Sequence, residues 1–392
     1  MIVLYAGNYH DAWQRIQNGQ KGTWYGHQYM VEAFSKLREK HQVTILTCVS
    51  SKSYVKKLTD GTQIIEINCK NPAKETPKIT KIIESQNPTD IIFRAPLADL
   101  WKWAIKQPKI RVMTLLAQSY EKKGIIQRIK NVEVTRTLNN SNIEWVFNHQ
   151  VSASESLYKI GVNPTKIIPW DWPRGWPNLP EKVLQKSSCW NIFYAGAISE
   201  EKGVGDLIYS LSLLKKQGHS VKLSIAGKGS KKTMRALAEK LDIADSITFL
   251  GLVPNEQIIE YMHDSDFVCI PSRHSYPEGF PMTICEALAS RTPIIASDHP
   301  MFRSTLTHQS NAMIFPEKNP KVLAENIDFL IMQPHLYSQI SKNSKDAWEA
   351  IQLPVLWPEL IERWVNNTSS DIDWFSKHSL SSRQYKSRLI SI

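Results

Sequence analysis

Two glutamates, Glu278 and Glu286, stand with seven residues between them in the run EGFPMTICE. A glycine, Gly279, and Phe280 follow the first, and Pro281 precedes Met282 and Thr283 at the start of a segment whose pattern predicts a helix over 282–289. Proline suits a helix start, because its missing N–H has no acceptor there anyway. The first N–H groups of such a helix are unbonded within it and carry the positive end of its dipole, which is a binding place for an anion. Glu286, four residues after Met282 and three after Thr283, shares their helix face, roughly 4.5–6 Å further along the axis at 1.5 Å per residue. One short stretch thus offers N–H donors to phosphates, a carboxylate (Glu286) to ribose hydroxyls, and a second carboxylate (Glu278) to the hydroxyls of an attached sugar.

Glutamates eight positions apart are common on any solvated helix, so the flanks carry the weight. Before the pair comes the apolar β-type run Phe267–Ile270, ending in Pro271-Ser272; after it, residues 293–297 read PIIAS. Strand, loop, helix and strand in that order give the motif its context. So placed, it resembles the signature of the GT-B-fold retaining glycosyltransferases of family four. The resemblance implies an α/β fold of two Rossmann-like domains with parallel sheets facing an interdomain cleft. It also implies transfer, with retention and without a metal, of a sugar from a nucleotide diphosphate-sugar to a glycan, lipid or small-molecule acceptor. No separate cofactor is expected.

Other positions fall into the same pattern. Residues 196–203, GAISEEKG, resemble the family's loop of two cations that neutralise the leaving diphosphate; Gly196 and Lys202 match, and Ala197 replaces the arginine. A lost charge-assisted hydrogen bond of this kind is worth about 1.5–3 kcal/mol, so Arg273, with Arg174 as the second choice, is expected to substitute. Gly227 in Ala226-Gly227-Lys228-Gly229 resembles the family's turn after the next strand, and Val253 falls where relatives hold the base. By this resemblance Lys202 and Arg273 meet the phosphates, Glu286 the ribose and Glu278 the transferred sugar. Gly279, Phe280, Met282 and Thr283 line the donor. Arg291 stands where the family prefers glycine.

The first half departs further. Where the family often has His-x-His after a strand, this chain has Phe93-Arg94-Ala95, and Leu115-Leu116-Ala117 does not match a common His-Asp. Acceptor-side candidates are then Gly22, Gly26 and His27 in a glycine-spaced loop, with His149, His10 and Arg174. A catalytically weak nucleotide-sugar-binding subunit, partnering an active transferase, is the alternative reading. The glycines do not form Gly-x-Gly-x-x-Gly, so no dinucleotide fingerprint is met.

Those residues must be positioned by alternating elements. Short β-type runs at 2–6, 43–48, 64–67, 91–93, 112–116 and 145–147, with an amphipathic helix over 27–40, predict parallel strands with crossover helices. The first strand is expected to break at Gly7. A second series starts at Asn191, with runs at 191–194, 222–226, 247–250, 267–270, 294–296 and 312–315. The proline- and tryptophan-rich segment between them gives the expected boundaries: domain 1–170, linker 171–190, domain 191–364, and a segment of about 365–392 packing back on the first.

The 392 residues suffice for two cores, and the excess of 48 Lys+Arg over 37 Asp+Glu favours anionic partners. Nucleic acid would rest on charge alone, with no recognised module. Five scattered cysteines without a Cys-x2-Cys pair suggest neither a disulfide framework nor zinc, and fit a reducing cytoplasm. Residues 2–6 are too short and lack the basic flank of a signal peptide. An anionic membrane surface, the inner face of a membrane, is the open alternative. Two stretches could dock there: Trp101-Lys102-Trp103 with Lys106 and Lys109, and residues 121–130, which mix isoleucines with Lys122, Lys123, Arg128 and Lys130. Tryptophans in a core under a basic solvated face would look the same. Lys377, Arg383, Lys386 and Arg388 suggest a loose basic tail.

Overall fold

The computed structural model describes residues 1–5, 8–20, 22, 25–48, 50–69, 71–120, 124–185, 187–382 and 384–385. The chain divides into two compact units, Met1–Pro173 with Leu353–Ile392, and Arg174–Gln352.

In the first unit the elements run β1 (Ile2–Tyr5), α1 (Tyr9–Gln17), α2 (Gly26–Arg38), β2 (Thr44–Thr47), β3 (Tyr54–Lys57), β4 (Gln63–Glu66), α3 (Thr76–Ser85), β5 (Asp90–Phe93), α4 (Ala98–Ala104), β6 (Arg111–Leu116), α5 (Ile125–Leu138), β7 (Ile143–His149), α6 (Gln150–Lys159) and β8 (Ile167–Trp170). Among the described residues they form an eight-stranded sheet, β3-β4-β2-β1-β5-β6-β7-β8. All pairs are parallel except β3 with β4. The five apolar runs after the first strand became β2, β4, β5, β6 and β7. The alternation did not reveal β3, whose YVKK is mostly exposed, because a lysine-bearing edge strand lacks a buried face. The expected break at Gly7 lies outside the described residues.

The second unit runs β9 (Trp190–Ala195), α7 (Val204–Lys216), β10 (Val221–Ala226), α8 (Lys231–Lys240), β11 (Ile247–Gly251), α9 (Asn255–His263), β12 (Phe267–Ile270), α10 (Met282–Ala289), β13 (Ile294–Ser297), β14 (Met313–Phe315), α11 (Pro320–Met332) and α12 (Pro334–Ala350). Its six-stranded sheet, β11-β10-β9-β12-β13-β14, is parallel throughout. Both faces are covered, which explains the uninterrupted apolar runs. Phe267 and Cys269 join one core with Leu207, Leu211 and Ile225. Val268 and Ile270 join the other with Phe280, Ile284 and Leu288, and this second core fixes α10 over the sheet.

Two sheets of this kind, each wound as a Rossmann-like unit, make the fold GT-B. The expected 171–190 linker is not a free connection. The second unit begins at Arg174, and Lys182 docks on it, its Nζ 2.6 Å from His263 O. That unit also ends earlier than expected, at Gln352, after which α13 (Trp357–Asn366) and α14 (Ser369–Lys377) belong to the first.

The basic tail is a correction. Leu380 and Tyr385 are buried in the first unit's core, with Leu380 N–H 2.7 Å from Ile167 O, because two apolar side chains anchor what its charges suggested was loose. Arg383, Lys386 and Arg388 lie outside the described residues. Of the two readings of the Trp101–Trp103 patch, the structure fits tryptophans packed in the fold: Trp101 is core, and Trp103 donates its indole N–H to Glu84 at 3.0 Å. Among the described residues no helix is long and apolar enough to cross a membrane.

Candidate functional site

The loops that leave the C-terminal ends of β9, β10 and β12 meet backbone to backbone, and two glycines permit it. Gly227 has φ +148° and a Cβ there would fall 1.8 Å from Gly196 O. Gly203, the residue before α7, has φ +70° and its Cβ would fall 2.0 Å from Pro271 O. No side chain fits either place, so the loop carrying Lys202 lies directly against the loop that begins at Pro271 and carries Glu278.

That approach brings Lys202 and Glu278 together. Both are largely buried, and Lys202 Nζ pairs with Glu278 Oε1. The same oxygen accepts from Ser272 Oγ at 2.7 Å, and the ammonium lies 4.2 Å from the centroid of the Tyr276 ring. Ser272 and Tyr276 were not singled out in the sequence. Ser272 follows the strand-ending proline, and that Pro-Ser pair was its only signal. The loop is pinned from outside by His274 Nε2, 2.8 Å from Asp298 Oδ1, and by His299 Nε2, 3.1 Å from Tyr276 O.

Arg273 does not join the pair. Its guanidinium forks onto Asp206 and reaches Glu200 Oε1 at 2.6 Å, and the Asp206 hydrogen bonds hold its pKa above the ordinary value. Two carboxylates neutralise it, and they tie Arg273 to α7 rather than to Lys202 and Glu278. Arg174, the second choice, sits beside α10 instead: Nη2 is 3.0 Å from Met282 Sδ, and its charge acts on Glu286. Glu286 is buried within α10, and burial lifts its carboxyl to about 7 despite the opposing pull of Arg174.

Helix α10 spans the expected Met282–Ala289, with Pro281 in extended conformation as its N-cap and no side chain capping it. Met282, Thr283 and Gly279 are half-buried, whereas the Phe280 side chain belongs to the core. Val253 packs at the edge of the same core, just after β11, whose Gly251 O accepts from Gly227 N–H at 2.7 Å. The Gly196 turn is tied by Tyr194, whose hydroxyl donates to Ala197 O at 2.7 Å. Arg291 adopts φ +63°, the left-handed conformation that explains a glycine preference. Its guanidinium lies 4.9 Å from the Trp176 ring centroid and donates to Lys342 O at 3.0 Å.

In the first unit Gly26 opens α2 and is buried, Gly22 is half-buried on the loop before it, and His27 follows Gly26. Burial, then the charges of Arg94 and Arg15, push the His27 imidazole down to about 4, so it is neutral at pH 7. Arg94, noted in sequence only as a departure, places its guanidinium 5.8 Å from the Trp172 ring centroid and 5.7 Å from that of Trp357. His149 is buried at the end of β7 with Nε2 3.0 Å from the buried Asp171. His10 is engaged by Tyr54 at 2.8 Å and Lys56 at 3.0 Å. All five cysteines are unpaired, and no described group of His, Cys, Asp and Glu could hold a metal.

Comparison with known proteins bears on the fold and the family. Residues 177–347 match the model of the family Glycosyl transferases group 1, a span that falls within the second unit. An uncharacterized glycosyltransferase of Haemophilus influenzae is 29% identical over 189 residues, 47% of this chain and 51% of the relative. The chain spans about half or less of the length of the first curated relatives it matches. Among solved structures, sucrose-phosphate synthase from Thermosynechococcus elongatus superposes with a TM-score of 0.65 at 16% identity, over 93% of this chain and 98% of that one. Anabaena HepE in complex with UDP and glucose gives 0.62 at 12% identity, over 94% and 98%. The structural likeness establishes the GT-B fold, and the second unit matches the group 1 glycosyl transferase model.

Proposed function

We propose that the chain is a retaining glycosyltransferase that moves a sugar from a nucleotide diphosphate-sugar to a glycan, lipid or small-molecule acceptor. The observation that carries this reading is the meeting of Lys202 and Glu278 ahead of the α10 N-terminus, with Glu286 eight residues on and Arg174 beside it. Departure of a nucleoside diphosphate develops negative charge, and fixed N–H dipoles and cations that meet it lower the barrier. Lys202 and Arg174 are assigned to that charge, with the backbone of Met282 and Thr283. Glu286 accepts from the ribose and Glu278 from the transferred sugar. Gly196, Gly227, Gly279 and Phe280 shape the donor's surroundings, and Val253 meets the base. Protein cations, rather than a metal ion, supply the positive charge in this assignment.

Gly22, Gly26 and His27, with Arg94, are assigned to the acceptor. A neutral His27 can accept a hydrogen bond from a hydroxyl, which a protonated one cannot. The UDP complex of HepE supports trying uridine diphosphate sugars first. The test is release of free nucleoside diphosphate from a panel of UDP-, GDP- and ADP-sugars, offered lipid and soluble acceptors. One donor turning over, and slowing about a hundredfold in Glu278→Gln, supports the assignment; binding without turnover would leave only a nucleotide-sugar-binding subunit.

A further inference from the structure

Helix α5 presents to solvent what a helix of a folded unit normally hides. Ile125, Ile126, Ile129 and Val132 are 78%, 71%, 66% and 60% exposed. Residues 125, 129, 132 and 136 recur at the spacing that aligns side chains on one helix face, and Ile126 widens the stripe at its start. The opposite face does the ordinary packing, burying Asn131, Thr137 and Leu138 against the unit. So α5 is docked by one side and carries a second apolar side that the fold does not use.

Charge decides what that side suits. Arg128, Lys130 and Arg136 are all exposed on the same helix. The helix's one acid, Glu133, is paired with Lys102 of α4. Aliphatic side chains rimmed by cations match the boundary between headgroups and acyl chains of an anionic bilayer, where the apolar stripe enters and the cations remain at the phosphates. A protein partner's hot spot would more often centre on aromatic anchors, and this stripe has none. We propose that the exposed face of α5 docks the protein on an anionic lipid surface, lying in the interface rather than crossing it.

The test uses the full chain and sedimentation with sucrose-loaded vesicles of phosphatidylcholine alone or with about one-third phosphatidylglycerol. The expected result is binding to the anionic vesicles that weakens with added salt, and binding to neutral vesicles at least tenfold weaker. Ile125→Ser with Ile129→Ser should reduce anionic binding by at least about tenfold. Lys130→Gln with Arg136→Gln should reduce it about fivefold per cation. All four positions are exposed, so unchanged circular dichroism and melting temperature would show that the variants fold. The proposal is overturned if wild type does not bind anionic vesicles, or if both variants bind as wild type does. It is equally overturned if the isoleucine variant instead converts a dimer to a monomer in sedimentation velocity, since the stripe would then be a self-interface. None of these readouts depends on sugar transfer, so the two proposals fail separately.

Discussion

Arg273 and Asp206 are joined by a two-bond fork, Nε 2.9 Å from Oδ2 and Nη2 2.8 Å from Oδ1. This relationship bears on two arginines that the sequence ranked, Arg273 ahead of Arg174. An arginine held by two carboxylates is matched in charge and geometry before any phosphate arrives.

Removing one partner of the fork strands the other. Asp206 is 6% exposed, so Arg273→Gln should destabilise the fold by about 3 kcal/mol, read from urea unfolding midpoints. Arg174→Gln should cost less in the midpoint than Arg273→Gln and lower kcat/KM roughly 10- to 150-fold, the equivalent of about 1.5–3 kcal/mol for one charge-assisted hydrogen bond. The reverse partition would restore Arg273 to the diphosphate.

Lys202 and Glu278 are coupled, so their substitutions should not add. Lys202→Ala is expected to cost about a hundredfold in kcat, as for other preorganised groups that meet developing charge. The double variant with Glu278→Gln should be little slower than the worse single one, because each change also frees the partner. Additive losses would mean that the two side chains act apart.

Glu286 gives a pH signature. Burial raises its pKa from 4.5 to about 7, so between those values the folded chain keeps a proton that the unfolded chain has lost. Its contribution to stability is therefore intact below the unfolded pKa and declines as pH rises through about 7. Glu286→Gln, which cannot ionise, should gain about 3 kcal/mol on wild type between pH 5 and pH 8. Donor affinity of wild type should move oppositely, rising toward pH 8 as the carboxylate that accepts from the ribose forms. Flat stability differences across this range would remove the buried acid from the account.

Gly203→Ala tests the backbone contact that brings the two loops together. A methyl group there must displace Pro271 O, and the φ of +70° adds strain. A loss of at least about 2 kcal/mol in stability is expected. Turnover should fall with it, since the Lys202 loop would be pushed from the Glu278 loop; a fully active variant would show that their spacing is unimportant.

Much of the second unit was legible because its strands are covered on both faces and read as continuous apolar runs; all six became strands. The placing of Glu278 on a loop and Glu286 on the helix after it was legible from their flanks. The ranking of Arg273 over Arg174 could not foresee the fork, since a choice between cations depends on carboxylates distant in sequence, here Asp206 and Glu200. The partner of His149 was not legible, because a histidine at a strand end reads alike whether a buried Asp171 holds it or not. The tail misled for a related reason: Leu380 and Tyr385 bury against the core while the cations around them dominate composition. Arg291 shows the converse, a departure from glycine that makes sense only with Trp176 stacked on its guanidinium.

The most direct measurement is proton NMR of the product formed from an α-linked nucleotide-sugar that the donor panel shows to turn over. The account predicts a new glycoside whose anomeric proton has the small coupling of an α linkage, formed by wild type and strongly reduced in Glu278→Gln. A β-linked product would contradict retention, and donor consumption indifferent to Glu278 would contradict the site itself.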